Sequence, residues 1–347
     1  MLIIYILLPV AAVALTFILI GYSISAPRYK GPVSDHFDGK QFINPGGVKA
    51  NGLIEVLKWM RERKRGAWTE QLENTFGEKP AERIENGLRI TFVNHTTFLI
   101  QVDGMNILTD PVWSKRTSPF SWIGPKRMRP PGIRFEDLPK IDLVLLSHNH
   151  YDHLDIDTVK RLVKVFNPQF IVSLGVGAFL RQHGIHAYHE LDWWQEIAIP
   201  NGLSVQALPA QHFSGRGMLD RDATLWCGYL LKRTDGNIYF AGDTGYNAYT
   251  FKEIGERCAP IRAALIPIGA YKPAWFMSPI HCSPEQAVQI HQEVKSSLTI
   301  ASHFGTFPLA DDGAEEPVRD LNAALAKLPK PHQPFLTLQE GKGIDIV

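Results

Sequence analysis

Leu143-Val144-Leu145-Leu146-Ser147-His148-Asn149-His150-Tyr151-Asp152-His153 is the stretch on which the fold turns. An apolar strand runs directly into His-x-His-x-Asp-His, so four ligand-type side chains begin where the strand stops. Histidine is scarce, 13 in 347 residues, yet three stand beside an aspartate within this short segment. Imidazole and carboxylate are the donors that zinc and similar divalent ions take in open, water-bearing sites. Side chains two apart on an extended segment point the same way, so His148 and His150 reach one metal. Asp152 and His153 are displaced along the chain and suit a second.

The same pattern recurs downstream. The apolar runs 203–208, 238–241 and 298–301 are each followed by a ligand-type residue, His212, Asp243 and His303. Strands that deliver such residues at their C-terminal ends build a site on the edge of a sheet. The expected partition gives His148, His150 and His212 to one metal and Asp152, His153 and His303 to the other. Asp243 bridges, and Asp152 and Asp243 are the catalytic carboxylates. Two divalent ions, zinc by expectation, roughly 3.5–4 Å apart activate a hydroxide between them as nucleophile. Elsewhere the spacing predicts a helix over 157–166 and a second from the capping box Ser283-Pro284-Glu285-Gln286 to Val294. Residues 89–101 alternate as strand, and Asp103-Gly104 marks a hairpin into 105–108.

Composition is that of a folded α/β body, 45% hydrophobic and 20% charged, without low-complexity tracts. A net charge of +1 excludes the strongly basic footprint of a nucleic-acid binder. Cys227, Cys258 and Cys282 are odd in number and widely spaced, so they form no disulfide framework. Residues 2–22 carry no charge and are long enough for a membrane anchor. A cleaved signal peptide is the competing reading, with small residues at 23–26. Arg28 and Lys30 follow the apolar run, which by the positive-inside tendency leaves the body cytoplasmic; the alternative is export after cleavage. The expected organisation is an anchor or signal segment over 1–24, a linker and amphipathic extension over 25–80, and a hydrolase domain over 81–347. Within the extension, 52–65 reads as a short basic amphipathic helix, with Ile54, Leu57 and Met60 apolar.

Several motifs together carry a family resemblance: the nine residues from Ser147 to Asp155, Leu191-Asp192-Trp193-Trp194, Gln211-His212, the run from Phe240 to Tyr246, that from Ile266 to Tyr271, and His303-Phe304-Gly305-Thr306-Phe307. They span roughly 91–309. The chain resembles the metallo-β-lactamase-fold hydrolases, and among them the N-acylphosphatidylethanolamine-hydrolysing phospholipase D group. His-x-His-x-Asp-His specifies only the superfamily; the tryptophan pair, Gly-Ala-Tyr and Trp275-Phe276-Met277 are narrower. The resemblance implies a four-layer αββα sandwich, a phospholipid substrate, a membrane setting and a homodimer. It implies phosphatidate and an N-acylethanolamine as products. It also places His95 beside the site, and His281 near it, to bind phosphate or protonate the leaving alkoxide.

Around the ligands the readings stay open. Asp110 orients a ligand histidine or is a turn aspartate; His95 and His281 are site residues or packed histidines. Trp193, Trp194 and Tyr271 contact substrate or fill core. Lys126, Arg127, Arg129 and Arg134, interleaved with Trp122, Met128 and Phe135, face an anionic lipid surface or form a solvated loop. The rival functions are lactone or ester hydrolysis, RNA cleavage, and a non-catalytic, metal-stabilised membrane scaffold.

Overall fold

Two seven-stranded sheets dominate the protein. The structure is a computed structural model that describes residues 15, 16, 18–71 and 76–346. The first sheet holds β1 (Leu88–Asn94), β2 (Thr97–Val102), β3 (Met105–Thr109), β4 (Leu143–Leu146), β5 (Gln169–Ser173) and β6 (Tyr188–Leu191). The second holds β7 (Glu196–Ala198), β8 (Ser204–Leu208), β9 (Gly228–Lys232), β10 (Asn237–Phe240), β11 (Ile261–Pro267), β12 (Thr299–Ser302) and β13 (Phe335–Leu336). The short β14 (Gly343–Asp345) returns to pair with β1. Both sheets are mixed: β1 to β3 and β7 to β10 pair antiparallel, then β3 to β6 and β10 to β13 pair parallel.

The period-2 geometry of a strand sorts side chains between two cores. From β4, Leu143 and Leu145 enter the core shared with Val205, Leu231 and Phe240 of the second sheet. Val144 and Leu146 face the other way, against Val159 and Leu162 of the helix Ile156–Phe166 and Leu180 of the helix Val176–Gln182. Burial on both faces is why the Leu-Val-Leu-Leu run shows no polar alternation. Helices Thr250–Arg257, Pro284–Glu293 and Glu316–Leu325 bury Phe251, Ile290 and Leu321 on the second sheet's side. Helix, sheet, sheet and helix make the four expected layers.

Local signals set the boundaries. Asp155 caps the helix Ile156–Phe166, accepting from Thr158, and Asn167 ends it in left-handed backbone (φ 50°). Ser283 and Gln286 close the capping box on the helix that runs to Glu293. The alternating stretch 89–101 is two antiparallel strands, because the chain reverses at His95 (φ 47°) with no glycine to mark the turn.

The linker expected at the start of the 25–80 extension lies over the body as a fitted strap. Phe37 and Phe42 are buried against Ala210, Leu225 and Trp226, and Tyr29 packs beside them. The amphipathic helix forms at Leu53–Glu62, with Val56 and Trp59 on a small cluster that includes Phe276 and Met277. The expected anchor falls largely on residues outside those described. Of its end, 18–24 are helical, with Ile18, Leu19 and Tyr22 exposed. Among the described residues no helix is long and apolar enough to cross a membrane. All three cysteines are buried thiols.

His36 pins the strap. It meets Asp35 at 2.6 Å and Asp192 at 2.7 Å while stacking on Trp193, ring centroids 4.5 Å apart. Burial pushes its pKa down, but the hydrogen bonds and charges of Asp192 and Asp35 win and raise it above 6.5. A raised folded-state pKa stabilises fully below the unfolded value and fades as pH rises through the folded one. His36→Gln is therefore expected to cost more stability at about pH 6 than at about pH 9. Equal costs in denaturant titrations at both pH values would refute the latch. The cores make a second prediction. Leu162→Ala, at a fully buried position, costs about 2–5 kcal/mol in chemical unfolding. Ile54→Ala, at a position 79% exposed, stays within about 0.5 kcal/mol.

Candidate metal centre

The ends of β4, β8, β10 and β12 converge on one cluster. The loop after β4 supplies His148, His150, Asp152 and His153; the other three strands lead to His212, Asp243 and His303. Gly242 (φ 62°) permits the approach of β10 to β4, since a Cβ there would stand 2.9 Å from that of Ser147. Ligand atoms of His148, His150 and His212 lie within 4.8 Å of one another. Those of Asp152, His153 and His303 form a second such group, joined by His95. Asp243 stands between the groups: its Oδ2 is 3.1 Å from Nε2 of His153, 3.1 Å from Nε2 of His303 and 3.7 Å from Nε2 of His212.

Outer contacts aim these rings. His153 Nδ1 meets Asp110 Oδ2 at 2.7 Å, leaving Nε2 for the cluster. Asp110 also accepts from the Ser147 amide (2.7 Å) and hydroxyl (2.6 Å) and is fully buried. His212 Nδ1 lies 2.8 Å from the Ile280 carbonyl, which likewise frees Nε2. A carboxylate or carbonyl behind the ring is how proteins fix the tautomer of a ligating histidine. His95 (φ 47°), Asp110 (φ 33°) and His303 (φ 57°) all adopt left-handed backbone. Such conformations cost about 1–3 kcal/mol each and concentrate where geometry serves function.

The electrostatics ask for cations. Burial holds His150 at about 3 and His212 at about 4, so both are neutral, the ligating form, at ordinary pH. For His303 burial also pushes down, yet the Asp243 and Asp152 carboxylates outweigh it and raise the ring to about 9. His153 moves upward for the same reason. Asp243 Oδ1 is buried without a hydrogen-bond partner. The neutral imidazoles of His150 and His212, two buried carboxylates and an unsatisfied carboxylate oxygen fit a divalent-metal donor set.

Residues 105–304 match the beta-lactamase superfamily domain. The chain is 42% identical to the N-acyl-phosphatidylethanolamine-hydrolyzing phospholipase D 1 of Caenorhabditis elegans, over 78% of this chain and 80% of the relative. This chain belongs to the metallo-β-lactamase superfamily. A second relative, the mitochondrial N-acyl-phosphatidylethanolamine-hydrolyzing phospholipase D of Saccharomyces cerevisiae, is 34% identical over 66% of this chain. The match spans 49% of that longer protein. Among solved structures, Igni18, a metallo hydrolase of the archaeon Ignicoccus hospitalis, has the same fold: TM-score 0.56 and 23% identity, covering 74% of this chain and 97% of that one.

Within this metallo-β-lactamase centre, His281 faces the cluster, its Nδ1 3.9 Å from Asp243 Oδ2 and its ring 5.0 Å from that of His212. His95 is closer than a neighbouring position implies: its Nε2 lies 3.1 Å from Asp152 Oδ2 and its ring centroid 4.1 Å from that of His303. Other candidates are engaged elsewhere. Trp193 donates to the Trp226 carbonyl (2.8 Å) beneath the strap, and Trp194 lies 3.5 Å under the Arg257 guanidinium. Tyr271 donates to Asp320 on the last helix. Lys126 pairs with Glu70, Arg129 with Glu315 and Glu340, and Arg134 with Asp137. Arg127 is buried, 4.7 Å over the Phe307 ring. Three of these four cations thus each face an intramolecular carboxylate, and the fourth is buried.

One bracing residue carried no local signal in the sequence. Arg216, in a Gly-Arg-Gly loop, donates to the carbonyls of Asn149 (2.8 Å) and Leu154 (2.9 Å) and so holds the ligand loop at both ends. Asp110 generates the prediction here. An asparagine cannot serve both Ser147 donors and the His153 N–H. Asp110→Asn should therefore weaken zinc binding about 10–100-fold in chelator competition with the circular dichroism unchanged. Native zinc affinity in this variant would contradict the orienting role.

Proposed function

We propose that this metal-dependent hydrolase is a binuclear phosphodiesterase acting on a glycerophospholipid of the N-acylphosphatidylethanolamine type. The observation that carries the reading is Asp243 set between two three-residue ligand groups, in a chain that matches most of a phospholipase D so named. His148, His150 and His212 would hold one divalent ion and Asp152, His153 and His303 the other, most simply zinc. When bound, such a pair activates water near neutral pH and neutralises charge on a phosphoryl group. In the hydrolysis a water oxygen bonds to phosphorus, the bond from phosphorus to the ethanolamine oxygen breaks, and that oxygen leaves with a proton. Phosphatidate and an N-acylethanolamine result.

The chain's own residues supply position and hydrogen bonding. Asp110 and the Ile280 carbonyl keep His153 and His212 aimed inward. Burial keeps His281 well below the usual imidazole range, so it is neutral and still offers an N–H. Facing Asp243, it is placed to donate to a phosphoryl or leaving oxygen as charge grows there.

A membrane setting finds support in exposed apolar side chains rather than in the basic cluster. Leu53, Ile54, Leu57 and Met60 are all exposed on the helix Leu53–Glu62, with Lys58 and Arg61 beside them. Trp122, Ile123, Met218 and Leu219 are exposed as well. An apolar face flanked by Lys and Arg suits the boundary of anionic lipid. We take the body to be cytoplasmic on the strength of Arg28 and Lys30, and the protein to act as a homodimer.

The test is incubation of the detergent-solubilised protein with N-acylphosphatidylethanolamine, followed by mass spectrometry. Phosphatidate and the N-acylethanolamine should appear, and Asp243→Asn should abolish both. His281→Ala should lower kcat about 100–1,000-fold while zinc content is kept. Turnover of lactones but not of this lipid would retain the hydrolase and overturn the substrate.

A further inference from the structure

The strap reaches the metal centre itself. Asn44 is 6% exposed, and its carboxamide forms a two-point clasp on the backbone of His212. The His212 amide donates to Asn44 Oδ1 at 2.8 Å, and Asn44 Nδ2 donates to the His212 carbonyl at 2.7 Å. Oδ1 accepts a second bond from Trp226 Nε1 (2.9 Å), and Nδ2 gives its other hydrogen to the Val48 carbonyl (3.0 Å). A carboxamide offers two donors and two acceptor lone pairs, and all four are used.

The sequence around Asn44 is built for this arrangement. Pro45-Gly46-Gly47 turns the chain at once, with Gly46 (φ 68°) and Gly47 (φ 73°) in left-handed backbone, and so returns Val48 to the amide. Ahead of it, the aromatic packing of Phe37 and Phe42 and the His36 latch hold the strap down. Behind His212, the Ile280 carbonyl fixes the ring tautomer. Asn44 fixes where the backbone carrying that ring stands, from 168 residues away in sequence.

We infer that Asn44 is a positioning residue of the metal centre, and that the N-terminal strap is a working part of the site through its grip on His212. The inference rests on His212 being a ligand. It assigns Asn44 to the ion on the His212 side, because the other group, Asp152, His153 and His303, includes no residue that it holds. Aspartate has nearly the same shape but no N–H, so it would set carboxylate oxygens against the carbonyls of His212 and Val48. Alanine removes the clasp without repulsion.

Zinc titration of the full chain against a chromophoric chelator tests this, with the thermal midpoint of the metal-free protein measured alongside. Asn44→Asp and Asn44→Ala should each weaken one of the two bound zinc ions about 10–100-fold and leave the other near its native affinity. Trp226→Phe removes the other donor to the same oxygen, leaves the clasp intact, and should keep both affinities. A merely structural asparagine would lower the metal-free midpoint and move both ions together or neither. Native affinity for both ions in Asn44→Ala, or equal weakening of both, overturns the inference. His212→Ala separates the underlying assignment: if it holds both ions as the native chain does, His212 is no ligand and the inference falls with that reading.

Discussion

Everything in this protein answers to two carboxylates, Asp152 and Asp243, buried among imidazoles. A buried charge is tolerated only when paired or bound to metal. Here the neighbouring rings divide in response. His150 and His212 are driven neutral by burial, whereas His153 and His303 are drawn upward because the carboxylate field exceeds their desolvation. A site with that internal field is poised for cations, and the sheets, caps and strap hold its members a few ångströms apart.

The two-sheet frame makes the arrangement affordable. Strands buried on both faces need no polar residue along their length, so the ligands gather where the strands stop. The left-handed backbone of His95, Asp110 and His303 puts strain at that edge, where the flanking core can carry it. Arg216 and Asn44 then close the frame from loops far apart in sequence, each through backbone carbonyls of the ligand-bearing segments.

Much of this was readable from the chain because its signals are local. An apolar run followed by ligand-type residues points to strand and candidate site at once, and the seven candidate residues gather in one cluster. The capping box at Ser283 and the hairpin at Asp103-Gly104 are equally local. What escaped was whatever depends on distant partners. Asn44 lies within the expected linker, and nothing near it in sequence names His212. Lys126 and Arg129 read as free cations until Glu70, Glu315 and Glu340 arrive from other parts of the fold. For Trp193 and Trp194 the sequence leaves core and substrate contact open, and the fold splits the pair, one under His36 and the other under Arg257.

The central claim is that this cluster binds two cations sharing Asp243. Anomalous diffraction from zinc-grown crystals, recorded on both sides of the zinc absorption edge, tests it most directly. The account predicts two peaks per chain about 3.5–4 Å apart, one among His148, His150 and His212 and one among Asp152, His153 and His303, with Asp243 touching both. A single peak, or peaks that leave Asp243 uncoordinated, would contradict it.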